Sequence, residues 1–251
     1  MRPLATLLGW LRGRRRTPNG FSGVFRSFEE AIASAPAGQP VGYDNAGAAS
    51  LYRDLLDQPR HDDYPAVFWL HRALRTSRTL LEIGGHVGVA YYAFERLLAP
   101  LEGVTWTILD TKAVSQAGRQ LARERGRTNL HFVSDFAEVA DPVDILFASG
   151  SLQYVPGPPL PALLRSMAAV PHHIVINKTP VTDRDGFVTL QDIGLSYCPY
   201  RVHSRAELID PLLAMGYELV DSWRKERRLV VLGHPERTLE HYSGYYLTRA
   251  V

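Results

Sequence analysis

The residues best equipped for chemistry in this 251-residue chain sit in one run, Leu80-Leu81-Glu82-Ile83-Gly84-Gly85-His86-Val87-Gly88. An apolar strand ends in an acid and passes through a glycine-bearing turn toward a helix. Gly84, Gly85 and Gly88 let the backbone come close to a ligand at the carboxyl end of the strand, where open α/β sheets bind ligands. The dinucleotide fingerprint would need glycine at His86 and at Val89, and both are missing. An acid two residues before the first glycine repels a pyrophosphate and favours a ligand that carries positive charge.

Two further acids end strand-like runs. Asp110 follows Thr105–Leu109, 28 positions after Glu82, and a carboxylate there, with Thr111 beside it, suits the hydroxyls of a ribose. Asp135 follows Leu130–Val133 and is placed to accept from an adenine amino group, with Phe136 against the ring. Strand-end aspartates also cap the helices that follow them, so each alone is weak. The acid-x-Gly-x-x-x-Gly turn followed by two such acids resembles the first motif of the class I S-adenosylmethionine (SAM) enzymes. That resemblance implies a Rossmann-like doubly wound α/β fold and a cationic sulfonium as ligand, as cosubstrate or sole substrate, with no metal.

The run after the fourth strand, Ala148-Ser149-Gly150-Ser151-Leu152-Gln153-Tyr154-Val155-Pro156, borders the sulfonium in the resembling enzymes. It lacks the Asn/Asp-Pro-Pro-aromatic pattern of base-amine methylation, and no acidic cluster suggests a metal-dependent catechol mechanism. Ser149 is a candidate for the SAM side. Tyr43, Gln153, Tyr154 and Asn177 are candidates for the reacting centre, with helix-start packing as the plainer role of Gln153 and Tyr154. Tyr91, Tyr92, Tyr197 and Tyr200 are further aromatics whose faces suit a sulfonium, although Tyr91 and Tyr92 also read as helix packing. His86, His203 and the His172-His173 pair are the candidate bases, each more often a structural donor than a proton acceptor. Lys178 reads as solvated.

A wider likeness spans nearly the whole chain. Phe21-Ser22-Gly23, Gly42-Tyr43-Asp44, the glycine turn and Ala148–Tyr154, in that order, resemble a family of bacterial methyltransferases known from sequence and often encoded beside polysaccharide or peptide natural-product genes. Enzymes that make azetidine-2-carboxylate from SAM resemble the same group. The resemblance implies methyl transfer to a small-molecule or carbohydrate-like acceptor. It leaves open cyclisation of SAM by its own amine, which releases methylthioadenosine, and a SAM-binding scaffold without turnover.

The elements needed to hold these residues follow from periodicity. Strands are expected at Thr79–Ile83, Thr105–Leu109, Leu130–Val133, Val143–Ala148, His173–Ile176, Tyr217–Trp223 and Tyr245–Thr248, the last two pairing antiparallel at one edge. Helices are expected at Tyr91–Leu98, Val114–Arg125, Leu160–Ala169 and Arg205–Met215. Residues 1–75 read as a helical extension or lid, with a capped helix after Ser27, one near residues 48–56, one from Pro65 and no strand; residues 76–251 read as the catalytic domain. Gly42–Asn45 is the expected lid over the site, and removal of residues 1–60 is expected to leave a folded core. Met1–Leu11 forms an amphipathic stretch without signal-peptide order, so the expectation is a cytoplasmic protein.

Composition narrows the classes. With 45% hydrophobic and 22% charged residues the chain is neither disordered nor a membrane bundle. One cysteine, Cys198, excludes a disulfide framework or thiolate metal site. Only three of the 28 basic residues are lysine. The clusters at Arg12–Arg16 and Arg224–Arg228 lack interleaved aromatics, so they read as solvated and no nucleic-acid partner is expected.

Overall fold

The computed structural model describes residues 20–43, 56–98, 100–140 and 142–249. The five consecutive strands β2 (Thr79–Ile83), β3 (Thr105–Leu109), β4 (Leu130–Val133), β5 (Ile145–Ser149) and β6 (His173–Thr179) run parallel in the order β4-β3-β2-β5-β6. Their near-continuous apolar runs fit a sheet covered on both faces. Leu80 lies opposite Trp106 on one side and Ile145 on the other, which aligns the carboxyl ends of all three strands. Helices α2 (Tyr64–Ala73), α3 (Val89–Leu98) and α4 (Lys112–Glu124) cover this half, and Trp106, Tyr91, Phe94 and Phe147 fill its core. On the other face, α5 (Leu160–Arg165) and the short helices α6 (Arg205–Leu208) and α7 (Asp210–Ala214) bury Leu164, Leu208 and Leu212.

The long strands β10 (Tyr217–Leu232) and β11 (His234–Arg249) form a hairpin, with β11 antiparallel to β6. The expected last two strands are therefore present and antiparallel, but each is sixteen residues long. Their near halves complete the order β4-β3-β2-β5-β6-β11-β10, and their far halves run on past the core.

There the structure departs from the expectation of a helical amino-terminal extension. β1 (Phe21–Phe25) is a strand, parallel to β10 through Phe21↔Val231 and antiparallel to β8 (Phe187–Asp192). β8 pairs with β9 (Tyr197–Ser204), and β9 with the short β7 (Val181–Thr182). The sheet has eleven strands rather than seven, and β10 is not its edge. Because β7 follows directly on β6, whose far neighbour is β11, the order curls back on itself into a small barrel-like ring. Phe21, Phe187, Tyr200, Val202, Leu229, Val231, Leu239 and Tyr242 form the ring's interior. Its seam is bridged by side chains rather than by a ladder: Arg184 donates to the Glu236 carbonyl at 2.6 Å and Arg237 to that of Asp185 at 3.4 Å.

The helix after Ser27 is α1 (Phe28–Ala33), whose first turn is held by the Glu30 N–H donating to Ser27 Oγ and the Arg26 N–H to the Glu30 carboxylate. α5 stops at Arg165, short of Ala169, where Ser166 folds its hydroxyl back onto Leu163. The expected helix Arg205–Met215 is broken into α6 and α7 at Pro211, which lacks the N–H that would continue it. The helix expected at residues 48–56, the Met1–Leu11 stretch and Asp44–Asn45 lie outside the described residues. Removing residues 1–60 would take out β1, an interior strand between β10 and β8, so the remainder would not keep the sheet intact.

Candidate active site

The glycine turn after β2 takes the shape its sequence requires. Gly84 and Gly88 adopt φ of 69° and 98°, and His86 between them φ of 56°. These left-handed values suit glycine and strain histidine. The Gly84 N–H donates to the Leu109 carbonyl at 2.8 Å, tying the turn to the end of β3.

Glu82 lies beneath this turn, 2% exposed, and accepts from Trp106 Nε1 at 2.9 Å. A Cβ on Gly85 would stand 2.5 Å from the Glu82 carboxyl carbon, so glycine there makes room for the acid. Burial raises the Glu82 pKa to about 8; the Trp106 hydrogen bond opposes this and nearby Asp110 adds to it. Glu82 thus braces the turn from below.

Asp110 is half-buried at the end of β3. One oxygen accepts the His86 N–H at 2.9 Å and the other the Thr111 N–H at 2.7 Å, fixing the carboxylate against the turn. Thr111 Oγ1 next to it is buried with no hydrogen-bond partner among the described residues. Asp135 is exposed, and its Oδ1 caps the following turn by accepting from the Ala137 N–H at 2.9 Å; Phe136 beside it is half-buried.

A second group of residues gathers at the ends of β5 and β6. Ser151 Oγ donates to the Ile83 carbonyl, locking the loop after β5 to the end of β2. Gly150 (φ 66°) leads into a 3₁₀ turn, Leu152–Tyr154. Gln153 is 3% exposed, and its Oε1 has no hydrogen-bond partner among the described residues. Tyr154 donates to Gln191 Oε1 at 2.7 Å and sits edge-to-face between Tyr43 (4.8 Å) and Tyr200 (5.0 Å). Tyr43 is held there because Val41 bridges Tyr197 and the Gly42 N–H donates to the Tyr197 carbonyl at 2.9 Å.

Asn177 is fully buried and fully engaged. Its Nδ2 donates to Ser149 Oγ at 3.2 Å and Asp63 Oδ1 at 3.4 Å, and its Oδ1 accepts from Trp223 Nε1 at 2.9 Å. Trp223 reaches it across the intervening β11 by lying over Gly244, where any Cβ would collide with the indole. Lys178, at φ 54°, pairs with Asp63 and, at 3.5 Å, with Asp62; Lys225 pairs with Asp62 from the other side. Two carboxylates thus meet two ammonium groups. Lys178 and Lys225 were both expected to be solvated, and both are instead mostly withdrawn from water. Sequence reading missed Asp62, Asp63, Trp223 and Lys225 because their partners lie 46 or more positions away and no local pattern marks them.

The remaining candidates separate by location. His172 precedes and His173 starts β6, at the end away from the site, and His173 Nδ1 meets the Tyr246 hydroxyl at 2.9 Å. Tyr91 donates to Asn129 at 2.8 Å, and the Tyr92 ring lies 4.6 Å under Arg125; both are packing residues. His203 is buried against the 3₁₀ turn and hydrogen-bonds the Leu152 backbone, and burial pushes its imidazole down to about 4. It is neutral at physiological pH. Among the described residues no group of three or more His, Cys, Asp or Glu is placed to hold a metal. No helix among them is long and apolar enough to cross a membrane.

No family model matches the chain, and no curated protein matches it. Solved structures do. Magnesium protoporphyrin IX methyltransferase from Synechocystis PCC 6803, with S-adenosylhomocysteine (SAH) bound, is 15% identical with a TM-score of 0.52, over 83% of this chain and 96% of that one. The fold is that of the SAM-dependent methyltransferases. The PH0226 protein of Pyrococcus horikoshii OT3 shares this fold at 11% identity and TM-score 0.52, over 89% and 100% of the two chains. OxaC in complex with SAH and oxaline does so at 19% identity and TM-score 0.51, over 82% of this chain and 51% of that one. At such identities the likeness is one of architecture.

Proposed function

We propose that the protein binds SAM at the carboxyl ends of β2 and β3 and transfers its methyl group to a small-molecule acceptor. The observation that carries this is Asp110, clamped by the His86 and Thr111 N–H groups so that its carboxylate stands beside the buried orphan hydroxyl of Thr111, at the glycine turn that follows β2. Asp110 takes the ribose hydroxyls, and Thr111 Oγ1 gains the partner it lacks. Asp135 and Phe136 border the adenine. Ser149 lies on the methionine side, held in place by Asn177. Glu82 and Gly85 set the shape of the turn from below.

In the reaction a lone pair on the acceptor attacks the methyl carbon. The carbon–sulfur bond breaks with its electrons going to sulfur, SAH leaves, and the acceptor's proton passes to water. Proximity and exclusion of water do most of the work in such a transfer. Tyr43, Gln153 and Tyr154 face the acceptor side in this reading. Gly42–Asn45 is the lid in this reading, its first residue anchored on β9 through Tyr197.

Calorimetric titration with SAM and SAH tests the reading directly. Micromolar binding that Asp110→Ala weakens at least tenfold, about 1.4 kcal/mol, supports it; unchanged binding sinks it. Mass spectrometry of the same protein incubated with SAM alone separates the chemistries. Intact SAM leaves methyl transfer standing, and methylthioadenosine with azetidine-2-carboxylate replaces it with cyclisation.

A further inference from the structure

We infer that Ser149 recognises the α-carboxylate of SAM's methionine tail, its hydroxyl held as an outward donor by Asn177. This deepens the methyl-transfer reading and rests on it. Placement is the first ground. Glu82 pairs with Ile108 of β3 and with Phe147 of β5, and Ser149 pairs with Asn177 of β6. Carrying the first two registers two residues further sets Asp110, Gly84, Ser149 and Asn177 in one row across the sheet. Side chains alternate along a strand, so Asp110, Ser149 and Asn177 share the face of Ile108, Phe147 and Val175, which belong to one core cluster. Asp110 and Ser149 are two strand spacings apart, about 10 Å, with a glycine between them. That separation matches the reach from the ribose hydroxyls of SAM to its amino-acid end. Ser149 and Gly150 are both half-buried, so this end of the row keeps accessible surface.

Polarity is the second ground. An indole N–H can only donate, and an ionised carboxylate can only accept. Trp223 Nε1 therefore fixes Asn177 Oδ1 on its own side, at 2.9 Å. The amide nitrogen is left facing Asp63, the partner of Lys178, at 3.4 Å and Ser149 Oγ at 3.2 Å. Because Asn177 Nδ2 donates, Ser149 Oγ accepts, and its own hydrogen has no acceptor among the described residues.

Charge is the third ground. Lys178 and Lys225 are matched by Asp62 and Asp63, so what this end of the row offers a ligand is a hydroxyl donor rather than a free cation. At the amino-acid end of SAM the ammonium group cannot accept a hydrogen bond, and the carboxylate can. A hydroxyl donating to a carboxylate is a charge-assisted bond, stronger than a neutral one. Ser149 touches the ligand in this arrangement; Asn177 and Trp223 are positioning residues that act through it.

The test is calorimetric titration of the full chain with SAM, decarboxylated SAM and methylthioadenosine. The first two ligands differ by the carboxylate alone, and the third lacks the amino-acid part. Ser149→Ala should weaken SAM binding about tenfold and change the other two by less than about twofold. Ser149→Thr, which keeps the hydroxyl, should restore SAM binding. Asn177→Asp replaces the donor with an acceptor and draws the serine hydrogen inward, so it should lower the preference for SAM over decarboxylated SAM as Ser149→Ala does. Trp223→Phe, which frees the amide to turn over, is the second positioning variant should that one not fold. Equal losses for SAM and decarboxylated SAM in Ser149→Ala would make the serine structural, and unchanged SAM binding would leave the carboxylate to another group. Either result overturns the inference and leaves the methyl-transfer reading to Asp110→Ala. Failure of the parent to bind SAM overturns that reading, and this inference with it.

Discussion

The two ends of the sheet bury different things. The parallel half, β2 to β6, has a large apolar core, and most of its buried polar residues, Glu82, His86, Ser151, Gln153 and Asn177 among them, gather around the carboxyl ends of its strands, where the candidate site is. The curled half, β1 with β7 to β9 and the far part of the β10–β11 hairpin, buries Thr189, Gln191, Asp192, Ser196, His203 and Ser204. Each needs a partner. Thr189 Oγ1 finds the Ser22 carbonyl at 3.1 Å, Ser196 Oγ finds that of Gly42 at 2.9 Å, and Gln191 receives the Tyr154 hydroxyl. Both halves have apolar cores; the parallel half gathers its buried polar groups near the candidate site, and the curled half ties its strands together by hydrogen bonds that span up to 167 positions.

The largest effect that would test this contrast is loss of β1. Deleting residues 20–25 removes the strand between β10 and β8, and near-ultraviolet circular dichroism should show the tyrosine-rich ring melted. A parallel half that survives as a separate, SAH-binding unit would confirm the division; one cooperative collapse would show that the halves fold as one. Next is Trp106→Ala in the parallel half. It should cost about 3–5 kcal/mol in urea denaturation, since it opens a cavity and also strips Glu82 of its donor. A loss below about 1 kcal/mol would mean that this core is looser than its burial implies.

pH separates the halves by sign. The Glu82 pKa in the fold, about 8, lies above its ordinary value of 4.5, so its contribution is fully present below 4.5 and declines by about 1.4 kcal/mol per pH unit until about 8. His203 runs the other way. Its folded value, about 4, lies below the ordinary 6.5, so stability is lost as pH falls from 6.5 toward 4. Melting curves from pH 4 to 9 should flatten on the alkaline side in Glu82→Gln and on the acid side in His203→Gln. A variant that flattens the opposite limb would show the assignment reversed. The smallest effect, within the turn itself, is on Gly85→Ala. It should weaken SAH binding by displacing Glu82, and wild-type affinity would show that the brace tolerates a methyl group.

The parallel half was legible because its signals are local. An apolar run, a glycine turn and an acid at the next strand end are all visible within 31 residues, from Leu80 to Asp110. The same locality says nothing of how deeply Glu82 is buried, which follows from its contact with Trp106 on the neighbouring strand. The curled half was not legible because its strands break the usual patterns. β8 reads Phe-Val-Thr-Leu-Gln-Asp and is buried throughout, with Thr189 satisfied by a residue 167 positions away. In β10, Trp223-Arg224-Lys225 alternates inward and outward, but Lys225 points to Asp62 rather than to water, so the stretch resembled a solvated charge run. No spacing rule links a lysine near the end of a chain to an aspartate in its first third.

The register of β1 sets an order of events during synthesis. Phe21 pairs with Val231, so 231 − 21 = 210 residues separate the first strand from its parallel neighbour. At about 5–20 residues per second, a ribosome makes that stretch in about 10–40 seconds. Until β8 is made as far as Gln191, the residues Phe21, Val24 and Phe25 wait without either neighbour, and one side of β1 stays unpaired until Val231 follows. Proper assembly then depends on how well this short segment is kept from other chains until the carboxyl-terminal hairpin emerges.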